Sequence, residues 1–291
     1  MKNIFIRGGL GDLIVLMPRI KKYLKNENYK IHYFGELSVG TLLDYFTCIE
    51  NMELADRIIH YPGRCPVLEP KFTTSRFKSA PNPDAKFQMP YHYNSDSRSF
   101  KINDADNVMP ELNPVDYCSV KYTANADFPY DNYVVVAPFS VSNPRWKRDP
   151  VYSWFQHFCH YILSKTKLKI VLLGNIPNSE SYKLYLPNKL CNDAKWYFIN
   201  TCGLTTIEEA IAIIKNAKFG IYFDSGLKNF AFLYDNPTIF LRDCTWLHSN
   251  PLEAWFPKQL QGINNNFLFD AVDGKYSDFC RLIDKCIGLS Q

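Results

Sequence analysis

Residues 200–241 read NTCGLTTIEEAIAIIKNAKFGIYFDSGLKNFAFLYDNPTIFL, and this stretch decides the fold. Apolar residues recur at helical spacing from Thr205 to Asn216, with Thr205 as the expected N-cap and Glu208 three residues on. A short apolar run, Phe219–Phe223, reads as a strand, Gly226–Tyr234 as a second helix and Pro237–Leu241 as a second strand. Strands that alternate with helices imply a parallel sheet covered by helices. The junction FDSGLKN, Phe223–Asn229, passes from strand to helix through Ser225 and Gly226. Small residues at a helix start leave N–H groups open to an anion such as a diphosphate, and Asp224 stands ready to orient hydroxyls. A plain Ser N-cap is the simpler reading of the same turn.

The alternation extends upstream. Tyr133–Ala137 is an apolar strand, Pro150–Ser164 an amphipathic helix, Lys169–Leu173 a strand ending at Gly174, and Trp196–Ile199 another strand. Near the N-terminus, Asn3–Ile6 reads as a strand, Gly8–Asp12 (GGLGD) as a tight turn, and Leu13–Lys25 as a helix that Pro18 kinks. Lys30–Phe34, Val39–Phe46 and Arg57–Tyr61 follow as strand, helix and strand. The expected fold class is therefore α/β, with two Rossmann-like βαβ domains facing a cleft at the carboxyl ends of their strands. The first covers 1–130, with a Pro-rich irregular insertion at 62–114. The second covers 131–291, its last helix free to pack back on the first domain.

Composition narrows the classes. The chain has 291 residues, 46% apolar and 21% charged, which excludes disorder. No apolar run is long enough to span a bilayer, and Arg7 and Asp12 break the N-terminal run, so no signal peptide is expected. The expected location is the cytoplasm, with peripheral attachment at the inner membrane as one variant and the host cytoplasm for a phage-encoded chain. The nine cysteines include no CxxC, and neither a disulfide framework nor a zinc site is indicated. A net charge of +4 permits a polyanionic partner.

The basic charge is concentrated. Eight of the eighteen prolines fall between Pro62 and Pro114, and eight Lys/Arg stand against three Asp/Glu from Arg57 to Lys101, among seven aromatics. Such a loop can grip phosphates and stack on planar groups, and it can equally be a surface insertion. SVSNPRWKRDP, Ser140–Pro150, places Arg145, Lys147 and Arg148 beside Ser140 and Ser142, cations suited to a departing diphosphate. GGLGD lacks the GxGxxG spacing of a nicotinamide fingerprint. An aspartate at a helix start is held ionised by the helix dipole and can take a proton from a hydroxyl; its simpler role is to stabilise the helix. Asp104-Ala105-Asp106 is a DxD with no strand pattern around it and carries little weight. His157 and His160 lie three apart without a third metal ligand, and no GxSxG is present.

Together these segments resemble the ADP-heptose:lipopolysaccharide heptosyltransferases, glycosyltransferase family 9, which have the GT-B fold. IRGGLGDLIVLMPRIKKYLK is similar to that family's R-x-x-x-(L/I)-G-D opening, and YVVVAPFSVSNPRWKRDPVYSWFQHF to its S-x-K-x-W-P segment. Residues 200–241 are similar to its L-x-G-x-T-(S/T)-L-x-E…D-(T/S)-G-x-x-H segment. The resemblance covers 1–61 and 131–241. It implies a catalytic base at Asp12 and a donor-diphosphate site at Ser225-Gly226-Leu227 with Asp224 beside it. Thr201–Thr206 would be a further donor-side segment. The family lysine falls on Pro144, leaving Arg145 or Lys147 as the nearby cations, and the family histidine falls on Asn229, beside Lys228.

The expected function is thus an inverting, metal-independent glycosyltransferase that uses a nucleotide-diphosphate sugar and needs no cofactor. The donor side comprises Ser140, Ser142, Arg145, Lys147, Gly174, Thr205, Asp224, Ser225, Gly226, Leu227 and Lys228. The acceptor side comprises Gly8, Gly9 and Gly11 with Arg64, Arg76 and Lys78. A lipopolysaccharide core or related glycan is the first acceptor reading. DNA with hydroxymethylated bases, as in phage enzymes, is the second. A degenerate nucleotide-binding protein and a Rossmann-type oxidoreductase are the alternatives from other classes. Retention of Asp12 argues against degeneracy.

Overall fold

The computed structural model describes residues 2–7, 9–11, 13–14, 17, 29–35, 37–50, 58–62, 100–102, 120–138, 151–175, 197–223, 225–234, 236–242 and 265–290. The chain divides into two compact units, Met1–Lys121 and Tyr122–Gln291. This boundary falls before the run from 122 to 130, whose aromatics pack within the second unit. Tyr122 meets Phe230 with ring centroids 5.2 Å apart, and Phe128 meets Tyr133 at 5.1 Å.

The first unit holds a four-stranded sheet in the order β3-β2-β1-β4. Strands β1 (Lys2–Arg7), β2 (Tyr29–Gly35) and β3 (Ile58–Pro62) are parallel, with Ile4 opposite Ile31 and Tyr33 opposite His60. Alternate residues of β2, Ile31 and Tyr33, are fully buried, as period-two geometry requires. Helix α1 (Val39–Thr47) starts at Ser38, whose Oγ accepts the Thr41 N–H at 3.1 Å. It buries Leu42, Tyr45 and Phe46, spaced to share one helix face. Strand β4 (Phe100–Ile102) runs antiparallel to β1 inside the stretch expected to be irregular. It also ends two residues before Asp104, so the DxD does follow a strand, although Asp104 and Asp106 themselves lie outside the described residues.

The second unit is a six-stranded, all-parallel sheet, ordered β10-β9-β8-β5-β6-β7. Its strands are β5 (Tyr133–Ala137), β6 (Lys169–Leu172), β7 (Phe198–Asn200), β8 (Gly220–Tyr222), β9 (Thr238–Arg242) and β10 (Asn266–Asp270). Central β5 is buried along its whole length, which is why it reads as an unbroken apolar run rather than an alternating one. On one face, α2 (Val151–Lys165) and α5 (Tyr276–Leu289) share a core with Val134, Val136, Ile170, Leu172 and Ile221. On the other, α3 (Ile207–Asn216) and α4 (Gly226–Leu233) pack together, and the Tyr133 hydroxyl donates to the Ile213 carbonyl at 2.8 Å. Gly220 has to be glycine because a Cβ there would run into the Tyr222 ring.

Two details depart from the sequence reading. The N-cap of α3 is Thr206 rather than Thr205, in a full capping box with Glu209: Thr206 Oγ1 accepts the Glu209 N–H at 3.2 Å and Glu209 Oε2 accepts the Thr206 N–H at 2.7 Å. The alternation also continues through β10 and α5. Where the sequence allowed the last helix to pack back on the first domain, its buried side chains Phe279, Ile283 and Cys286 lie in the core of the second unit.

Candidate functional site

In the first unit the residues in question follow β1. The expected turn over Gly8–Asp12 is shorter than the sequence suggested, because helix already begins at Leu10. The Leu13 N–H donates to the Gly9 carbonyl at 3.2 Å, so Gly9 occupies the N-cap position, where glycine is well tolerated. Leu13, Ile14 and Met17 are buried. Gly9 is exposed, with open space where a side chain would begin, and Gly11 is half-buried in the first turn. Gly8 and Asp12 lie outside the described residues, as do Arg64, Arg76 and Lys78.

The second unit supplies the donor-side geometry. From β5 the chain moves through α2 to β6 on one side, while from β8 it moves through α4 to β9 on the other. Strands β5 and β8 are neighbours, and the Phe223 N–H donates to the Ala137 carbonyl at 3.0 Å. Their carboxyl ends therefore form a topological switch point, the place where open parallel sheets bind ligands. Two sequence-selected segments leave the sheet at this point. The basic stretch follows Pro138, and its members Ser140, Ser142, Arg145 and Lys147 lie outside the described residues. The other is the Ser225 turn.

Ser225 is the N-cap residue of α4, in extended conformation (φ −141°, ψ 165°), yet its side chain makes no capping bond. Its Oγ is buried and has no hydrogen-bond partner among the described residues. A buried hydroxyl without a partner costs about 1–3 kcal/mol, a cost that a ligand accepting its hydrogen bond would remove. Gly226 and Leu227 are half-buried in the first turn of α4, where backbone N–H groups have no intrahelical acceptor. Lys228 completes that turn. It is 3% exposed, with Nζ 4.5 Å from the centre of the Phe240 ring. A cation in a first turn opposes the helix dipole. Asp224 lies outside the described residues.

The remaining donor-side residues lie at the same sheet edge. Gly174, just past β6, is buried, and its carbonyl accepts the Gly203 N–H at 2.9 Å. Thr201 ties the loop after β7 to β6 through its Oγ1, which donates to the Leu172 carbonyl at 2.6 Å. Gly203 takes φ 69°, a conformation that favours glycine, and turns the loop back. Thr205 is half-buried ahead of the α3 cap. Leu204 lies inside the Thr201–Thr206 segment but was not singled out by sequence; it is an apolar side chain 67% exposed at this edge. Its signal was a lone large apolar residue between a glycine and two threonines. Among the described residues no group of three His, Cys, Asp or Glu is placed to hold a metal ion.

No protein-family model and no curated protein matches this chain. Solved structures do. The chain is similar to Escherichia coli ADP-heptose lipopolysaccharide heptosyltransferase II at 12% identity and TM-score 0.56, over 97% of both chains. It is similar to E. coli heptosyltransferase WaaC, solved with ADP, at 11% identity and TM-score 0.52 over 98% of both. A family 9 glycosyl transferase from Veillonella parvula gives 13% identity and TM-score 0.52, over 98% of this chain and 91% of that one. The fold is thus the heptosyltransferase fold, as the sequence motifs implied.

Proposed function

We propose that this protein is a GT-B, heptosyltransferase-like glycosyltransferase that moves a sugar, with inversion and without a metal, from a nucleotide-diphosphate donor to a hydroxyl of a polyanionic acceptor. The observation that carries the reading is the buried Ser225 hydroxyl at the start of α4, beside the switch point, which has no hydrogen-bond partner among the described residues. In this reading the donor diphosphate accepts hydrogen bonds from Ser225 Oγ and from the first-turn N–H groups of Gly226 and Leu227, with Lys228 adding positive charge. Leu204 offers apolar surface to the nucleobase, and Arg145 and Lys147 stand in for the cation absent at Pro144 as the leaving diphosphate gains charge. Gly174, Thr205 and Asp224 complete the donor side.

Asp12 is the general base. It deprotonates the acceptor hydroxyl as the oxygen attacks the anomeric carbon from the face opposite the diphosphate, so the configuration inverts. Gly9 and Gly11 keep the acceptor's approach clear of side chains, and Gly8, Arg64, Arg76 and Lys78 belong to the same acceptor side. The acceptor is assigned to a phosphorylated surface glycan. The relevant test is Asp12→Asn, assayed for sugar transfer with a panel of nucleotide sugars and acceptors that includes hydroxymethylated DNA. Transfer is expected to fall by about 10²–10⁴-fold while donor binding persists. Undiminished transfer by the variant would remove Asp12 from the mechanism, and transfer to the DNA alone would reassign the acceptor.

A further inference from the structure

The edge of the second unit's sheet opposite the Ser225 turn gathers six lysines. Lys169 opens β6 and Lys218 precedes β8, and each is bonded to the start of β5: the Lys169 N–H donates to the Asn132 carbonyl at 3.1 Å, the Lys218 N–H to the Tyr133 carbonyl at 2.9 Å. Lys165 and Lys167 lie at and just beyond the end of α2, and Lys215 at the end of α3. The end of α5 reaches the same edge, where Ser290 Oγ donates to the Lys218 carbonyl at 3.1 Å, and Lys285 lies one turn back. All but the half-buried Lys169 are exposed.

Helix dipoles explain only part of this. Lys165 and Lys215 sit in last helical turns, where cations are ordinarily stabilising. Lys167, Lys169 and Lys218 lie outside helices, and the last turn of α5 contains no basic residue. Three of the lysines are also held in place by rings: Lys169 Nζ is 4.3 Å from the centre of Tyr130, Lys285 Nζ 4.5 Å from Phe267 and Lys165 Nζ 5.5 Å from Tyr161. Among the described residues, the acids near this edge are Asp127, Asp131 and Asp284, and the last already accepts the Tyr161 hydroxyl at 2.9 Å. Glu208, Glu209, Asp270, Asp273 and Asp278 belong to the opposite edge, at helix starts and after β10. Beside Ser290, Leu289 is 46% exposed.

We propose that this lysine edge docks the protein on an anionic phospholipid surface, with Leu289 entering the interface. Lysine is a hydrated point charge suited to a diffuse anionic surface, whereas a gripped phosphate calls for the arginine fork. An exposed leucine among the lysines gains from a lipid interface and gains nothing from the phosphates of a nucleic-acid duplex. The attachment is independent of the donor chemistry proposed above.

Co-sedimentation of the full chain with vesicles tests this. The protein is expected to bind vesicles of about one-third phosphatidylglycerol in phosphatidylcholine, to ignore pure phosphatidylcholine, and to be released as salt rises above ~0.1 M. Each lysine contributes about fivefold, so Lys167→Glu with Lys215→Glu and Lys218→Glu lowers binding by about a hundredfold or more. Leu289→Ser is expected to weaken it severalfold with the melting temperature unchanged. The triple variant is expected to melt only a few degrees lower, because Lys215→Glu reverses a favourable charge at the end of α3. Donor hydrolysis is expected to be unchanged in both variants. Equal binding to neutral vesicles, no binding to anionic ones, undiminished binding by the triple variant, or a preference for duplex DNA over anionic vesicles would each overturn the proposal.

Discussion

At the scale of single residues, Ser225 separates a ligand site from an ordinary helix start. A capping serine stabilises its helix, and its removal costs about 0.5–2 kcal/mol. Ser225 sits at the N-cap without capping, and its Oγ is buried without a partner among the described residues. Ser225→Ala is therefore expected to leave the melting temperature unchanged or slightly raised, measured by calorimetry on the ligand-free protein. A clear drop would mean that the hydroxyl serves the fold. Tyr133 and Tyr222 give a second residue-level prediction. Burial pushes both phenols well above their usual value of 10, helped at Tyr133 by the Asp131 charge and at Tyr222 by Tyr133. The unfolded chain ionises first, so stability is fully present below about pH 10 and declines as pH rises beyond it. The melting temperature should be level up to about pH 9 and fall by about pH 11, and a flat profile would contradict the burial of these hydroxyls.

At the scale of elements, α3 shows what local pattern fixes. Its capping box holds two reciprocal bonds, so Thr206→Ala should cost about 1 kcal/mol, or about 2–4 °C in a unit of this size. The same change at Thr205 should cost much less, and equal losses at the two threonines would place the cap wrongly. Sequence put the cap one residue early because TT followed by EE satisfies the capping spacing in two registers, and only backbone geometry selects one. Strands β2, β5 and β6 and helices α1, α2 and α4 were legible to within a residue or two, since their apolar periodicity is imposed by burial. Strand β4 was hidden by its length of three residues and its proline-rich surroundings. Strand β10 was overlooked after a long stretch without alternation, and α5 was expected only as a last helix without bounds, although it buries a regular Phe279–Ile283–Cys286 stripe.

At the scale of the whole molecule, the candidate donor side was legible in sequence as far as one physical rule places it. Strand-to-helix turns at the carboxyl edge of a parallel sheet present N–H groups and small residues to anions, and Ser225-Gly226 announces such a turn in sequence. What sequence could not supply was strand order. Only the neighbouring of β5 with β8 shows that the basic segment after Pro138 and the Ser225 turn leave the sheet at one switch point. Leu204 was not singled out within Thr201–Thr206 for the same reason, since its exposure at that edge is a property of the assembled sheet. Structural likeness to heptosyltransferases extends over nearly the whole chain at 11–13% identity, so it establishes the fold and leaves the chemistry to experiment.

The most direct experiment is a calorimetric titration of nucleoside diphosphates and their sugars into wild-type protein and Ser225→Ala. One nucleoside diphosphate should bind wild type with unit stoichiometry, and the variant should bind it about tenfold or more weakly, as expected for a lost hydrogen bond to a charged group. Failure of every member of the panel to bind, or equal affinity for both proteins, would contradict the assignment of the α4 turn as the diphosphate site.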